Sequence, residues 1–238
     1  MPHQKPPCFV SSPVYRATGY ADNHPLGIPR IGTVADLCET LGWFAGQDLI
    51  DSPRATFDEL LAFHARDYVE ALIEAEQAGR VAAEVRARFN LGTFENPVFQ
   101  GVYERASMSV GGSVCAARKA MDGRIAYHPA GGTHHGRPDR ASGFCYFNDP
   151  VFAILTFLDN GCRRVLYVDY DAHHGDGVQD AFLDDRRVHC VSIHEHNRWP
   201  NSGAVDDRGN GNARNVPVPF GLNDSEFSYL VDLSLIHI

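Results

Sequence analysis

The stretch from Val165 to Gly177 constrains the fold more than any other part of the chain. It opens with the apolar run Val-Leu-Tyr-Val, which predicts a buried β-strand. Asp169, Asp171 and His173 follow at every second position, so a strand that stays extended would carry all three on one side. Open α/β sheets bind their ligands at the carboxyl ends of parallel strands. The stretch therefore predicts an α/β fold with a ligand site at this strand end, although acidic residues there can also be plain helix caps.

Strands and helices alternate through the second half of the chain, which favours a parallel sheet with helices on both faces. We therefore predict a three-layer α-β-α fold with a central parallel sheet. The predicted strands are Cys8–Tyr15, Arg124–Tyr127, Arg164–Val168 and Val188–Ile193. The predicted helices are Thr33–Phe44, a region from the capping box at Thr56 to Gly79, Glu104–Met121, and one from Asn148-Asp149-Pro150 to Gly161.

Charge and cysteine usage limit the partners and the compartment. The net charge of −9 disfavours nucleic acid as a partner but leaves a cationic substrate open. No apolar run approaches the roughly 18 residues of a membrane span, and no signal peptide is evident at the start. The six cysteines lie far apart without a Cys-x-x-Cys pair, so we interpret them as small buried hydrophobes in a reducing compartment, and we expect a cytoplasmic protein.

Two adjacent histidines, His134 and His135, follow the paired glycines Gly131 and Gly132. Paired glycines allow a sharp turn or a close approach of backbone to a ligand. Histidine is the side chain best suited to proton transfer near neutral pH. A histidine pair can equally be an exposed surface feature, but Asp169 and Asp176 are carboxylates that could orient the two imidazoles.

The stretch from Ala141 to Asp149 joins the histidines to the next predicted helix. Its Gly143-Phe144 pair could wall a narrow apolar slot. Phe144 and Phe147 could also be ordinary core residues.

Together these stretches resemble the arginase/deacetylase superfamily, above all the histone deacetylases and the bacterial acetoin-utilisation and acetylpolyamine deacetylases. The resemblance implies the arginase/deacetylase fold and a metal-dependent amidohydrolase, which hydrolyses the acetyl amide of an N-acetylated amine such as acetyl-lysine or an acetylpolyamine. Three segments carry it in the family's order and spacing, Gly131–His135, Ala141–Asp149 and Tyr167–Gly177, and weaker matches lie at His24–Arg30 and Phe63–Tyr68.

The resemblance also implies a role for each matching residue in the metal and proton-transfer site. Asp171 and His173 would bind Zn²⁺, or another divalent metal in its place. His134 and His135 would be the active-site pair, with His135 as general base and acid. Asp169 would hold His134, and Asp176 would hold His135. A structural K⁺ would be framed by Asp169, Asp171, His173 and Ser192.

The substrate-binding residues follow from the same resemblance. Gly143 and Phe144 would line the tunnel for the acylated amine, and Trp199 lies near the position of the opposing aromatic residue. Glu95 would stand at the rim, where relatives use an acid to hold the substrate backbone. Partners other than the acetylated amine are not implied, and the oligomeric state is left open.

The chain departs from the family pattern near its end. Relatives take a third zinc ligand from a later Gly-Ala-Asp segment and bind the oxyanion with a Tyr or His on a glycine-rich loop, and neither segment occurs in this sequence. The last residues, Leu233–Ile238, resemble a translated sequencing adapter. We therefore expect 1–232 to be the N-terminal part of a single deacetylase domain, incomplete at its C-terminus, and 233–238 to be a non-native tail. We expect the chain by itself to be inactive and prone to aggregate.

Two other functions compete with hydrolysis. One is a deacetylase-like protein that binds acyl-lysine without turnover, although a pure binder has no need of the histidines and their acidic partners. The other is an arginase-like binuclear manganese hydrolase, which needs further carboxylate ligands beside the histidines.

Overall fold

The computed structural model describes residues 5–16, 19–44 and 49–236, and for 233–236 it gives the backbone alone. The chain divides into two compact units, Met1–Gly161 and Cys162–Ile238. In the described residues each unit has a parallel three-stranded sheet, which confirms the predicted α/β class. The prediction of a single domain over 1–232 stays a prediction.

In the first unit a long helix packs against a parallel sheet. Its strands are β1 (Cys8–Ser11), β2 (Leu49–Asp51) and β3 (Ala126–Tyr127), in the order β2-β1-β3. Its helices are α1 (Arg30–Thr40), α2 (Phe57–Leu60), α3 (Arg66–Ala78), α4 (Ala83–Phe89), α5 (Val102–Met121) and α6 (Asp149–Asp159). Helix α5 lies against the sheet, where it contacts β1 and β3, and it also packs on α6.

Two predicted elements of this unit end earlier than expected. The strand predicted over Cys8–Tyr15 stops at Ser11, because Ser12 caps a 3-10 turn that Pro13 opens. The capping box at Thr56 is present, but its helix ends at Leu60 and a new helix begins at Arg66. The break places His64 in the core instead of on a continuous helix.

The second unit contains the strand that opens the sequence argument. Its strands are β4 (Val165–Asp169), β5 (Val188–Glu195) and β6 (Ala213–Val218), in the order β4-β5-β6, and its helices are α7 (Asp176–Ala181) and α8 (Asp224–Ile236). The register pairs Asp169 with Ser192, so two predicted site residues lie side by side on adjacent strands. Residues 237–238 of the predicted tail lie outside the described residues.

Four of the six cysteines are buried, as expected of small hydrophobic residues. None of the helices described is both long and apolar enough to cross a membrane.

Candidate active site

The predicted site residues fall on two units, and each group has its own geometry. The first unit carries Glu95, His134, His135, Gly143 and Phe144, and the second carries Asp169, Asp171, His173, Asp176, Ser192 and Trp199. The predicted pairing of each histidine with an aspartate joins residues of different units and stays a prediction.

The histidine pair of the first unit is buried. His134 and His135 are 6% and 4% exposed, and their ring centroids lie 3.9 Å apart. A tight turn leads into them, in which Gly132 has a φ of 94° and the His134 N–H donates to the Gly132 carbonyl at 2.9 Å. Both imidazoles are buried and therefore need hydrogen-bond partners. The pair is thus not the exposed surface feature that the sequence left open.

Two buried residues hold the loop that carries the histidine pair. The Asn148 side chain donates to the carbonyls of His134 at 3.2 Å and Gly136 at 2.9 Å, while its oxygen caps α6 by accepting the Val151 N–H. His64 lies against the Arg137 carbonyl through Nδ1 at 3.0 Å and accepts the Asn148 N–H through Nε2 at 3.1 Å. Burial lowers the pKa of His64 to about 4, so its imidazole is neutral near pH 7 and Nδ1 carries the proton.

Gly143 and Phe144 form a two-residue turn between Ser142 and Cys145. Both have left-handed backbone, with φ values of 55° and 67°, and the two flanking residues exchange backbone hydrogen bonds. Asn-Gly or similar pairs usually occupy such turns, and a phenylalanine there is strained. The turn presents the Phe144 ring to His24, with centroids 4.9 Å apart.

Glu95 contacts this same turn. One oxygen of its carboxylate accepts the Gly143 N–H, and the other accepts from the Asn90 side-chain amide at 3.0 Å. The acid predicted at the substrate rim therefore holds the protein's own Gly143 backbone. Its predicted contact with a substrate stays a prediction.

In the second unit the chain bends directly after β4 and does not stay extended. Strand β4 ends at Asp169, so the period-two prediction does not extend to Asp171 and His173. The cause is a pair of consecutive Asx turns, in which the Asp169 carboxylate accepts the Asp171 N–H at 2.9 Å and the Asp171 carboxylate accepts the His173 N–H at 2.8 Å. The bend brings Asp171 Oδ1 to 2.9 Å from His173 Nδ1.

The other nitrogen of His173 faces Arg198, whose Nε donates to Nε2 at 3.2 Å. A neutral His173 therefore has its proton on Nδ1 and donates it to Asp171. The Trp199 ring lies edge-on to the same imidazole, with centroids 6.1 Å apart. Trp199 is thus close to the candidate ligand pair, and its predicted contact with a substrate stays a prediction.

Ser192 belongs to a buried polar cluster next to β4. His194 Nε2 lies 3.0 Å from the Gly203 carbonyl, so that nitrogen carries a proton, and Nδ1 accepts from the Ser192 hydroxyl at 2.9 Å. Burial, together with the neighbouring His174, lowers the pKa of His194 and keeps it neutral. The Ser192 oxygen, having donated its proton, keeps lone pairs for a cation or an N–H. Asp176 is buried at the first position of α7.

The Asp171–His173 pair has the donor chemistry of a zinc site but is not a complete one. A carboxylate oxygen and an imidazole nitrogen are ordinary zinc ligands, and a separation of 2.9 Å lets both reach one cation. Catalytic zinc usually takes three protein ligands. Within the described part of the chain, no group of three His, Cys, Asp or Glu side chains could hold a metal ion. Asp171 and His173 therefore fit two of the three protein-ligand positions of such a site.

These features define an α/β protein with a carboxylate–imidazole pair after a parallel strand and a buried histidine pair in its other unit. The family model described as histone deacetylase domain matches residues 24–238. The chain therefore belongs to the histone deacetylase family.

Individual relatives support the same assignment. Acetoin utilization protein AcuC of Bacillus subtilis (strain 168) is 39% identical, over 92% of this chain and 58% of AcuC. Human histone deacetylase 1 is 36% identical, over 87% of this chain and 44% of its own length. The crystal structure of an HDAC homolog from Aquifex aeolicus matches with a TM-score of 0.90 at 37% identity, over 97% of this chain and 64% of that one. The predicted deacetylase fold is confirmed, and the chain spans roughly half of the length of these curated relatives.

Sequence reasoning missed the residues that support the predicted site residues through hydrogen bonds. His64 entered only through a weak family match. Asn148 and Asp149 entered as a helix start and as the end of a matching segment, with no role assigned to either, although the three surround the histidine loop. His194 was not singled out at all. The signal for the last was its spacing, since His194 follows the predicted ligand Ser192 by two residues on one strand and so shares its face.

Proposed function

We propose that this protein is a metal-dependent deacetylase, which hydrolyses the acetyl amide of an N-acetylated amine with Zn²⁺ held in part by Asp171 and His173. The observation that carries the proposal is the 2.9 Å approach of Asp171 Oδ1 to His173 Nδ1 directly after a parallel strand. Membership in the histone deacetylase family supports it. A bound zinc would supply Lewis-acid activation of the acetyl carbonyl and of the attacking water.

Metal binding requires a change of tautomer at His173. Its Nδ1 must give up the proton that it donates to Asp171, and Nε2 must then carry one. Arg198 donates to Nε2 and therefore has to turn away from the ring. Glu195 already accepts from the Arg198 guanidinium at 2.8 Å, so it can hold Arg198 once the side chain has turned away from the ring.

The histidine pair supplies proton transfer in this proposal. His135 removes a proton from the attacking water and then protonates the leaving amine. His134 stabilises the developing charge next to it, since the two rings lie 3.9 Å apart. We propose that Asp169 orients His134 and that Asp176 orients His135, because a buried carboxylate fixes an imidazole tautomer and supports its charged form.

We propose that a structural K⁺ would be framed by Asp169, Asp171, His173 and Ser192. Asp169 and Ser192 are paired in the register of β4 and β5, and both are buried. With its proton donated to His194, the Ser192 oxygen can contribute a lone pair to such a cation. Such a cation would stabilise the bend that presents the zinc ligands.

The substrate is proposed to be a cationic chain with one acetylated amine, such as acetyl-lysine in a peptide or an acetylpolyamine. Phe144 and Gly143 would line one wall of the tunnel, and Trp199 the other. Glu95 would then act at the rim through the Gly143 turn that it holds. The net charge of −9 suits a cationic substrate.

Hydrolysis of an acetyl-lysine peptide with added zinc tests the proposal. From the sequence we expect no turnover by the chain alone, so turnover would overturn that expectation. Where turnover occurs, we expect a chelator to abolish it, zinc to restore it and His135→Ala to lower kcat at least about 100-fold. Product formation that is unchanged by chelator or by His135→Ala would contradict it.

Among the described residues, no third zinc ligand accompanies Asp171 and His173. This favours a second candidate function, that of a non-catalytic acyl-lysine binder. The same peptide distinguishes the two. Binding of the acetylated peptide over its unacetylated form, without hydrolysis at any zinc concentration, would support the binder.

A further inference from the structure

Asp149, the first residue of α6, is 1% exposed, and its carboxylate faces the turn that leads into His134. Oδ2 accepts from the Ser113 hydroxyl at 2.5 Å and from the Gly132 N–H at 3.1 Å. Oδ1 accepts the Thr133 N–H at 2.7 Å. The Thr133 hydroxyl also contacts Oδ1 and lies 2.5 Å from the Phe147 carbonyl, and it donates its one proton to one of these two acceptors.

The carboxylate lies so close to the turn that only glycine fits at position 131. A β-carbon on Gly131 would lie 2.7 Å from Asp149 Oδ2 and 2.9 Å from the Ser113 oxygen. The paired glycines therefore serve two purposes, since Gly132 makes the turn and Gly131 makes room for the carboxylate. Asp149 thus touches each of the three residues that precede His134.

This arrangement differs from that of an ordinary acid at a helix start, which accepts N–H groups of its own helix. In α6 that task falls to Asn148, which accepts from Val151. The acceptors of Asp149 are directed instead at α5, through Ser113, and at the histidine loop. Its hydrogen bonds therefore connect the histidine loop to α5 and α6 and do not cap α6.

We infer that Asp149 is a positioning residue for the histidine pair: its carboxylate sets the backbone of Gly132 and Thr133 and thereby the orientation of His134 and His135. The inference rests on the proposed function for its catalytic consequence only. A misplacement of about 1 Å in a proton-transfer group can cost about 100-fold in rate.

Asp149→Asn is the informative variant. An amide has one oxygen, and the Gly132 and Thr133 N–H groups face different oxygens of the carboxylate. Whichever way the amide turns, one backbone N–H of the turn loses its acceptor. Asp139→Asn is the matched control, since it removes the same charge from an exposed carboxylate, which pairs with its neighbour Arg140 at 3.2 Å.

The test uses the 238-residue chain with ¹⁵N-labelled histidine, and it measures imidazole ¹⁵N shifts at one pH together with kcat and KM for an acetyl-lysine peptide. We expect the His134 and His135 resonances to move in Asp149→Asn and to stay in place in Asp139→Asn, while those of His194 are unchanged. In a chain that turns the peptide over, we expect kcat to fall about 10- to 100-fold, with KM within about twofold. A folded Asp149→Asn chain whose His134 and His135 shifts match wild type would overturn the inference.

The two readouts separate this inference from the proposed function. A wild-type chain without turnover is the outcome that the lack of a third ligand in the described part of the chain predicts, and the ¹⁵N shifts then decide the role of Asp149 without the rate data. Should Asp149→Asn fail to fold, Ser113→Ala and Thr133→Val each remove one hydroxyl and leave the carboxylate in place. Smaller shifts of the same two histidines are then expected, and unchanged shifts in both variants would overturn the inference.

Discussion

The two halves of the candidate site are held in different ways. The loop that carries His134 and His135 is buried and depends on side chains from distant parts of the chain, such as His64 and Asp149. The bend that carries Asp171 and His173 is half exposed, and consecutive Asx turns shape it locally. The difference indicates that the half proposed for proton transfer is positioned by the folded core, whereas the half proposed to bind metal is shaped by its own sequence.

The largest expected effect is on stability, in a comparison of one carboxylate from each half. Asp149→Ala leaves several buried donors without an acceptor and should lower the free energy of unfolding by about 3 kcal/mol or more. Asp171→Ala removes a half-exposed Asx turn and should cost about 1 kcal/mol or less. Urea unfolding of both variants measures this. Equal losses would remove the distinction between the two halves.

The next effect is the pH dependence that His64 gives to the first unit. Its pKa is about 4 in the folded chain, against 6.5 when exposed, so the unfolded chain binds more protons between these values. The free energy of unfolding therefore carries no penalty from His64 above pH 6.5. It falls by about 3 kcal/mol in total as the pH drops towards 4. Urea midpoints across this range should show the loss in wild type and a flatter curve in His64→Gln. Parallel curves would show that His64 is not responsible.

A smaller effect is expected at the Gly143 turn. Glu95→Gln keeps one acceptor but turns an amide N–H₂ towards either the Gly143 N–H or the Asn90 amide, both of which are donors. We expect a loss of about 1 kcal/mol in the free energy of unfolding. The exposed Glu84→Gln on α4 is the control, and a loss no larger than that of the control would mean that Glu95 does not hold the turn.

The smallest expected effect tests the ligand half. Arg198 favours the His173 tautomer that cannot bind a metal through Nδ1, so Arg198→Ala should raise zinc affinity by about threefold. Titration calorimetry with zinc measures it, with the exposed Arg186→Ala as control for lost charge. An affinity equal to or below that of the control would refute the tautomer argument.

The predictable features were those whose cause is local in sequence. The apolar run of β4, the capping box at Thr56 and the cap at Asn148 each depend on a few adjacent residues, and each is present. The two adjacent histidines were equally visible, although their burial was not.

Features with a distant cause could not be predicted. The helix break after Leu60 serves His64, whose partner Arg137 is 73 residues away. The bend after Asp169 was missed because period-two spacing suggested a straight strand, whereas carboxylates two residues before an N–H favour a turn. Strand β6 was missed because Pro217 argues against a strand, and it is the last strand in the order of its described sheet.

Asp171 and His173 are proposed to bind one divalent cation together. Visible absorption of the chain titrated with Co²⁺ is the decisive measurement, since cobalt replaces zinc and its d–d bands report protein ligands. We predict bands that saturate in wild type and are lost in both His173→Ala and Asp171→Asn. Identical bands in wild type and in both variants would contradict the claim.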